Sequence, residues 1–461
     1  MGVHRFRSRV VAARGRGAIA ALALFIGVSA PSLSWSQDVS PAGRAQLEAS
    51  FAEILKDPTN LDLTYDYAQL ATSLGDYEAA ITAYERLLLF NPDLPRVKAE
   101  LGVLYYRLGS FDTAKAYLEQ ALAEGDPPPA ARARIEGFLA RIEETESRHQ
   151  FTGGASFGLR YQTNANYGPE NDILIADIPA VPDDEIAGDA DWNVFGSLSG
   201  RYVYDLGNDA GDFFSVEGTL YGSRQFKFTE LDVEHMRVTA GPGFRLYPKE
   251  SGPVLFRPTV RATYVRLDNE SYHAALGFGA SATWQAFDQT SLFANGFYEN
   301  RDYMPTEKRP NAGTQDGAAV RATAGAIHRL SPNLQVKAEA TGGRVYTDEG
   351  AEAYSEAGFG VSVAARTESP FMGSEDLSFL SAPWSLSASL RYAHRRYEAP
   401  NFLVSAERRK EDDIRIDGAI AVPVGDRWSV FATLGYQDNI SNLPNNDFEN
   451  FSAALGASVK F

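Results

Sequence analysis

The residues that could do chemistry are few and do not converge. Gly154, Ser156 and Gly158 match the G-x-S-x-G spacing of a hydrolase nucleophile elbow. Such an elbow needs a strand that turns sharply into a helix, so that the serine oxygen stands clear of the backbone. This segment runs straight on through Leu159 and Tyr161 as a strand, and small residues of a sheet wall are the expected reading. His235, His273, His328 and His394 are likewise read as wall or rim residues rather than bases. The acids Glu170, Asp172, Asp177, Asp183, Asp184, Glu185, Asp189 and Asp191 could hold Ca²⁺, but no loop template fixes their spacing and a solvated, mobile loop is expected. The 461 residues include no cysteine, which excludes a disulfide scaffold, a thiolate metal site and a cysteine nucleophile. No cofactor and no enzyme activity are expected. A net charge of -17, from 60 acidic and 43 basic residues, argues against nucleic acid as a partner, whose phosphates are held by Lys and Arg.

The elements that must position these residues fall into three parts. Residues 1–36 read as a secretory signal peptide: Arg5, Arg7, Arg9, Arg14 and Arg16 form a basic start, Ala18 to Val28 an apolar run, and Ser34 and Ser36 a small-residue cleavage site. The alternative is an uncleaved anchor, but that run is well short of the roughly 20 residues a spanning helix needs. Residues 37–148 are helical and repetitive. Pro58 and Pro92 lie 34 residues apart, and at the same offset Gly75 aligns with Gly109, Tyr77 with Phe111 and Ala80 with Ala114. This pattern resembles the tetratricopeptide repeat. A half-repeat (Ala45 to Pro58) precedes the two copies, and a polar helix (Ala130 to Glu146) is expected to cap them. The resemblance implies a concave groove lined by Asp62, Tyr65, Gln69 and Thr72, and by Arg96, Ala99, Val103 and Tyr106. Such a groove takes a protein segment; a spacer or assembly handle is the alternative.

After His149 the period drops to two. Trp192, Val194, Leu198, Tyr202 and Tyr204 share one face, and Asn193, Ser197, Ser199 and Arg201 the other. Fourteen such segments are expected, near 151–167, 191–206, 213–227, 235–247, 254–267, 272–287, 292–303, 317–330, 334–347, 353–368, 384–397, 410–422, 428–439 and 448–461. Most exceed the mean strand of about 5 to 6 residues and suit the 9 to 11 or so that a tilted membrane-spanning strand requires. One face is apolar and aromatic, the other Ser, Thr, Gly, Gln and Arg, as in a closed transmembrane antiparallel barrel with lipid outside and water inside. Short connections alternate with long ones, which places the chain's barrel ends on the periplasmic side. Tyr204, Tyr247, Trp384, Trp428 and Phe461 are expected in a periplasmic aromatic girdle, and Tyr272, Tyr303, Tyr346 and Tyr397 in an outer one. Pro242 and Pro258 fall inside strands and are expected at bulges.

The face opposite the apolar one is assigned Arg160, Arg201, Arg237, Arg245, Arg257, Arg261, Arg321, Lys337, Arg366, Arg391, Arg415 and Lys460, against Glu217, Glu339 and Asp417. Such a lumen would draw anions, although a structural ladder of bonded Arg fits the same pattern.

A signal peptide, a short repeat domain and a barrel of about fourteen strands resemble the surface lipoprotein assembly modulator family. The local element carrying the resemblance is the first strand, Gly158 to Pro169, with its asparagine-containing end. Terminal Phe461 and Val459 are similar to the C-terminal signal read by the barrel assembly machinery. The resemblance implies a Gram-negative outer-membrane barrel (149–461), with outer-membrane lipid around it and a periplasmic repeat domain. Its implied role is to help a passenger lipoprotein or secreted protein reach the cell surface, the repeats engaging passenger or a periplasmic chaperone. Export of an anionic polysaccharide and a simple anion-preferring porin are the alternatives.

Overall fold

The computed structural model describes residues 41–125, 127–182, 186–248, 252–371 and 380–461. The expected signal peptide lies outside the described residues. The chain divides into a helical unit and a sheet unit that begins at Arg148.

The helical unit comprises α1 (Pro41–Lys56), α2 (Leu61–Leu74), α3 (Tyr77–Phe90), α4 (Pro95–Arg107), α5 (Phe111–Ala123) and α6 (Pro129–Glu146). Local chemistry sets the boundaries. The Asn60 side chain accepts the N–H groups of Asp62 and Leu63 at the start of α2, and Asp76 accepts that of Ala79 at the start of α3. Gly75 takes a left-handed φ of 83°, which closes α2 and turns the chain into α3. Gly102 lets α4 and α5 approach: a Cβ there would stand 2.5 Å from Leu118 Cγ. Leu101 and Leu118 are fully buried, and each such side chain contributes on the order of 1.5–3 kcal/mol. A polar helix was expected to cap the stack here, yet α6 starts at the position that α2 and α4 occupy in their own repeats. Its Ile135 and Ile142 are buried with Val103, Ala114 and Leu118. It therefore packs as the first helix of a next repeat.

The sheet unit comprises β1 (His149–Gln162), β2 (Ile173–Ile175), β3 (Ile178–Ala180), β4 (Asp191–Asp205), β5 (Phe213–Gln225), β6 (Val233–Leu246), β7 (Val254–Leu267), β8 (Glu270–Phe287), β9 (Thr290–Tyr303), β10 (Gly317–Ser331), β11 (Leu334–Thr347), β12 (Tyr354–Thr367), β13 (Trp384–Tyr397), β14 (Lys410–Val424), β15 (Trp428–Ser441) and β16 (Phe448–Lys460). The β2–β3 pair is a separate hairpin, and the other strands close one antiparallel barrel of the fourteen expected. Phe157, Leu198, Leu220, Val260, Phe278, Leu390, Leu434 and Leu455 are all exposed on its outside. A sheet in water would bury that face; a transmembrane barrel gives it to lipid.

Closure joins β1 to β16 from Gly154↔Lys460 to Gln162↔Ser452, whereas β4 covers β1 along its whole length from His149. At the end of the seam Gly153 and Phe461 exchange backbone bonds of 2.8 and 3.0 Å. The first four residues of β1 run on beyond β16 at this rim, which holds both ends of the barrel chain. Phe461 points outward and stacks on Phe151 at 6.1 Å between centroids; Val459 shares its outward face.

Three expectations are corrected. The first strand ends at Gln162, because the Asn164 side chain bonds both the N–H and the C=O of Gly168 and closes a loop there. Pro242 and Pro258 make no bulge: pairing of β6 with β7 lapses between Ala240↔Val260 and Phe244↔Phe256 with no change of register. The bulges lie instead at Val265/Arg266, Gln285/Phe287 and Arg329/Ser331. Tyr272, Tyr303 and Tyr397 are buried and do not belong to an outer girdle, whereas Tyr346, Trp428 and Phe461 are exposed on the outside. β7 and β8 meet on the loop-bearing rim in a two-residue turn, Asp268 and Asn269 at φ 55° and 61°. In the connection between β12 and β13, residues 372–379 lie outside the described residues.

Candidate functional site

In the helical unit, α2 and α4 bring three of the groove candidates together. The Arg96 guanidinium lies 5.2 Å from the Tyr65 ring centroid, and Gln69 Nε2 donates to Tyr65 Oη at 3.1 Å. Tyr65 is itself braced edge-on by Tyr84 at 5.8 Å. Asp62 is exposed in the first turn of α2, and Thr72 donates to the Ala68 carbonyl at 2.8 Å. The second copy departs from expectation: Val103 is 4% exposed and belongs to the core with α6. Ala99 and Tyr106 pack partly against the same core, Tyr106 against Phe138 at 5.2 Å. Of the groove candidates, Tyr65, Gln69 and Arg96 thus form one contact set, with Tyr65 also packed partly against the helical core. Behind it, Tyr105 donates to Glu85 at 2.7 Å; that bond, and then burial, push its phenol up to about 12.

Strand alternation places all the lumen candidates on the inner face, and contacts show how they are held. Arg160 donates to Tyr221 Oη at 2.6 Å. Arg257 donates to Ser215 and Glu217 at 2.8 and 2.7 Å, and Arg201 Nε is 3.4 Å from the same Glu217. Arg245 lies over Phe213 at 6.0 Å. Arg321 pairs with Glu356 at 3.3 Å, Lys337 with Glu339 at 2.8 Å, Arg391 with Asp417 at 2.9 Å and Arg415 with Asp413 at 2.7 Å. Arg237, Arg261, Arg366 and Lys460 share the inner face by register.

The inner face holds more than was expected. Arg301, Arg329 and Arg395 belong there too, as do Glu299, Glu356, Glu411 and Asp413, so the excess of base over acid is smaller than the sequence count. The excess is also localised. On β12–β14, Arg395 reaches Glu356 at 2.8 Å and Glu411 at 3.6 Å, and every inward acid of that wall meets a guanidinium. On β6–β9, Arg237, Arg261 and Arg301 have no ion pair among the described residues, and the Nε of each lacks a hydrogen-bond partner.

Five inward phenylalanines escaped the sequence reading: Phe195, Phe213, Phe293, Phe297 and Phe431. Each lies over a glycine of the next strand and most carry a cation on the open face. Phe297 illustrates this. Its ring would meet a Cβ at Gly277 or Gly279 at 2.8 and 2.6 Å, and Arg261 stacks on it at 3.9 Å. Arg160 over Phe195 at 4.9 Å and Lys337 over Phe293 at 5.1 Å repeat the arrangement. Only the register reveals it.

The loop-bearing rim is tied together by side chains read as a solvated loop. Ala176 and Asp177 donate backbone N–H groups to Leu403 and Val404 at 3.0 and 2.9 Å, and Ser405 bonds the Asp177 carboxylate. Asp189 pairs with Lys227, whose ammonium holds that carboxyl below its ordinary range. Asp191 accepts the N–H groups of Lys227 and Phe228 at 2.9 and 3.0 Å. Glu170 accepts the N–H of Glu449 at 3.2 Å. Asp183, Asp184 and Glu185 lie outside the described residues. These acids serve as loop ties at separate points, not as one ligand set. Across the same rim, residues 304–316 fold down so that Ala312 is buried with Val233, Val265, Leu267, Tyr272 and Tyr303. Arg309 anchors that loop by donating to the Glu230 carbonyl at 2.9 Å.

Ser156 stays in mid-strand, with Oγ 2.7 Å from Ser197 Oγ. His328 faces outward with Nδ1 2.8 Å from Thr290 Oγ1, and His394 faces outward with Nδ1 2.8 Å from Asp412. His235 and His273 point inward and are buried.

Nothing among curated proteins matches the chain. Three solved structures illustrate its likeness to helical proteins. The Yersinia enterocolitica type III secretion chaperone SycD, in complex with a peptide of the translocator YopD, is 16% identical, with a TM-score of 0.22 over 23% of this chain and 83% of its own. PcrH, with the chaperone-binding region of PopD, is 21% identical, with a TM-score of 0.21 over 23% and 82%. A tetratricopeptide repeat protein from Parabacteroides merdae is 22% identical, with a TM-score of 0.21 over 23% and 40%. Likeness of this extent carries no functional argument. Residues 68–139 match the tetratricopeptide repeat family, so the helical unit is a tetratricopeptide repeat domain joined in one chain to a transmembrane barrel.

Proposed function

We propose that the chain is an outer-membrane barrel of a Gram-negative cell that assists a surface lipoprotein or related secreted protein across the membrane. On this reading the repeat domain stands in the periplasm and engages passenger or chaperone, and the barrel is the conduit or seam through which the passenger leaves. No catalysis is assigned to it. The observation that carries the reading is the union of two parts: a repeat groove with an aromatic and cationic platform, Tyr65, Gln69 and Arg96, and a closed barrel with an apolar outside and a polar inside. A diffusion pore has no need of a repeat groove.

The test compares protease-accessible surface proteins, secreted proteins and surface polysaccharide in cells with and without the gene. Loss of one or two surface proteins, with their accumulation in the periplasm, supports the reading, and Arg96→Ala together with Tyr65→Ala should reproduce it. Loss of polysaccharide alone replaces the passenger with a polymer. An anion-preferring pore is the second reading, favoured by the unpaired guanidiniums of β6–β9; unchanged surface proteins with reduced uptake of small anions would establish it.

A further inference from the structure

The β6–β9 wall gathers cationic donors that the protein itself leaves unanswered. Arg237, Arg261 and Arg301 point inward from β6, β7 and β9, and among the described residues the one acid whose charge reaches both Arg237 and Arg261 is Glu299, which makes no ion pair with either. Two buried imidazoles adjoin them. His273 is 6% exposed and neither ring nitrogen has a partner; His235 is 6% exposed, its Nδ1 is unpartnered, and its Nε2 stands 3.4 Å from Arg237 Nη2. Arg301 and His235 both lie within electrostatic reach of His273.

The donors are placed, not loose. Arg261 is set at 3.9 Å on the Phe297 ring, which leaves the edge of its fork free. Phe297 in turn rests on the glycine floor of β8, and the His273 ring lies 4.5 Å from that of Tyr303. The folded loop 304–316 roofs this part of the lumen with the apolar cluster around Ala312 and Tyr303. Like charges held together away from water are costly unless an opposite charge joins them. Guanidinium forks pair with oxyanions by two parallel bonds, the strongest hydrogen bonds a side chain offers.

We propose that Arg237, Arg261 and Arg301, with His235 and His273 as neighbouring donors, bind one oxyanion group of a small solute (phosphate, sulfate or carboxylate) in the loop-side half of the lumen. The site does not depend on what the barrel translocates, and it would exist in a porin as well as in a protein conduit.

The test is calorimetric titration of the folded full chain in detergent micelles with inorganic phosphate, and in separate arms with sulfate and acetate. Folding is checked by the faster migration of unheated barrel on gels. Saturable binding of one phosphate per chain is expected, with sulfate competing. Arg237→Gln and Arg261→Gln should each weaken it at least tenfold, and Lys460→Gln, at the far rim, should leave it within twofold. If either Gln variant fails to fold, Arg237→Lys and Arg261→Lys keep the charge and lose the fork, and should weaken binding several-fold. Absence of saturable binding by all three anions overturns the proposal. So does binding that every Arg variant leaves within twofold, or a many-site response abolished by added neutral salt, which would be screening only. None of these results bears on the passenger, so failure here is distinct from failure of the translocation reading.

Discussion

Arg309→Ala should loosen the roof of the lumen without disturbing the wall. Arg309 is 5% exposed, donates to the Glu230 carbonyl at 2.9 Å and lies 5.9 Å from the Tyr272 ring. A charged donor on a carbonyl is worth about 1.5–3 kcal/mol, and a cation over an aromatic face about 0.5–1 kcal/mol. Their loss makes opening of loop 304–316 easier by about 2–4 kcal/mol, or ~30- to ~700-fold at about 1.4 kcal/mol per factor of ten. The amides that report opening are those of Met304, bonded to the Tyr272 carbonyl at 2.9 Å, and of Thr306 and Ala312, each bonded to the Arg309 carbonyl at 3.2 Å. Hydrogen exchange of the full chain in micelles reads them directly. Exchange of these amides should accelerate within that range, while amides in mid-strand of β12–β14 keep their rates. If all three stay within threefold of the native rate, the loop is held by its apolar contacts alone and the anchoring role of Arg309 is wrong.

In the repeat domain, Gly102→Ala trades a helix-propensity gain of about 1 kcal/mol against overpacking of about 1–3 kcal/mol on Leu118. Combined with Leu118→Ala, which alone costs about 2–5 kcal/mol, the pair should be less damaging than the sum by at least about 1 kcal/mol in urea unfolding followed by the helical signal; simple additivity would refute the contact. Raising pH should destabilise the same domain between about 10 and 12. Tyr105 is held neutral to about 12 when folded and ionises near 10 when unfolded, so its contribution is whole below about 10 and lost above the folded value. Tyr105→Phe should flatten that part of the profile, and an unchanged slope would count against it. On the barrel, Glu356→Gln leaves Arg395 and Arg321 short of a shared carboxylate that is 10% exposed. Breaking one side of a buried pair costs about 3–5 kcal/mol, so the temperature at which unheated gel mobility is lost should fall; no fall would mean that Glu411 and Asp413 suffice.

How much was legible depended on which period carried the information. The 34-residue offset places both repeats, and α6 obeys it as well; a polar composition concealed this, because only Ile135, Phe138, Leu139 and Ile142 of α6 turn inward. The fourteen strands were readable because outward positions such as Leu198, Leu390 and Leu455 repeat every second residue. The lumen was readable only in part. A phenylalanine in an alternating strand reads as lipid-facing, so Phe297 and Phe431 were assigned no inner role, although a glycine on the neighbouring strand receives each ring. Glu356 and Asp413 share the inward parity of Arg366 and Arg415 on their own strands, and were left out of the inward set. Val103 was misplaced because one sequence does not show that a third helix covers it, and Asn164 because a side chain closing its own loop leaves no mark on the period.

Strand order gives the two charged walls a further meaning. In the closed ring β6 and β7 lie across from β13 and β14. One side is a lattice of cancelling charges rich in carboxylates, and the other an uncancelled surplus of guanidiniums. The field between them therefore runs across the bore rather than along it.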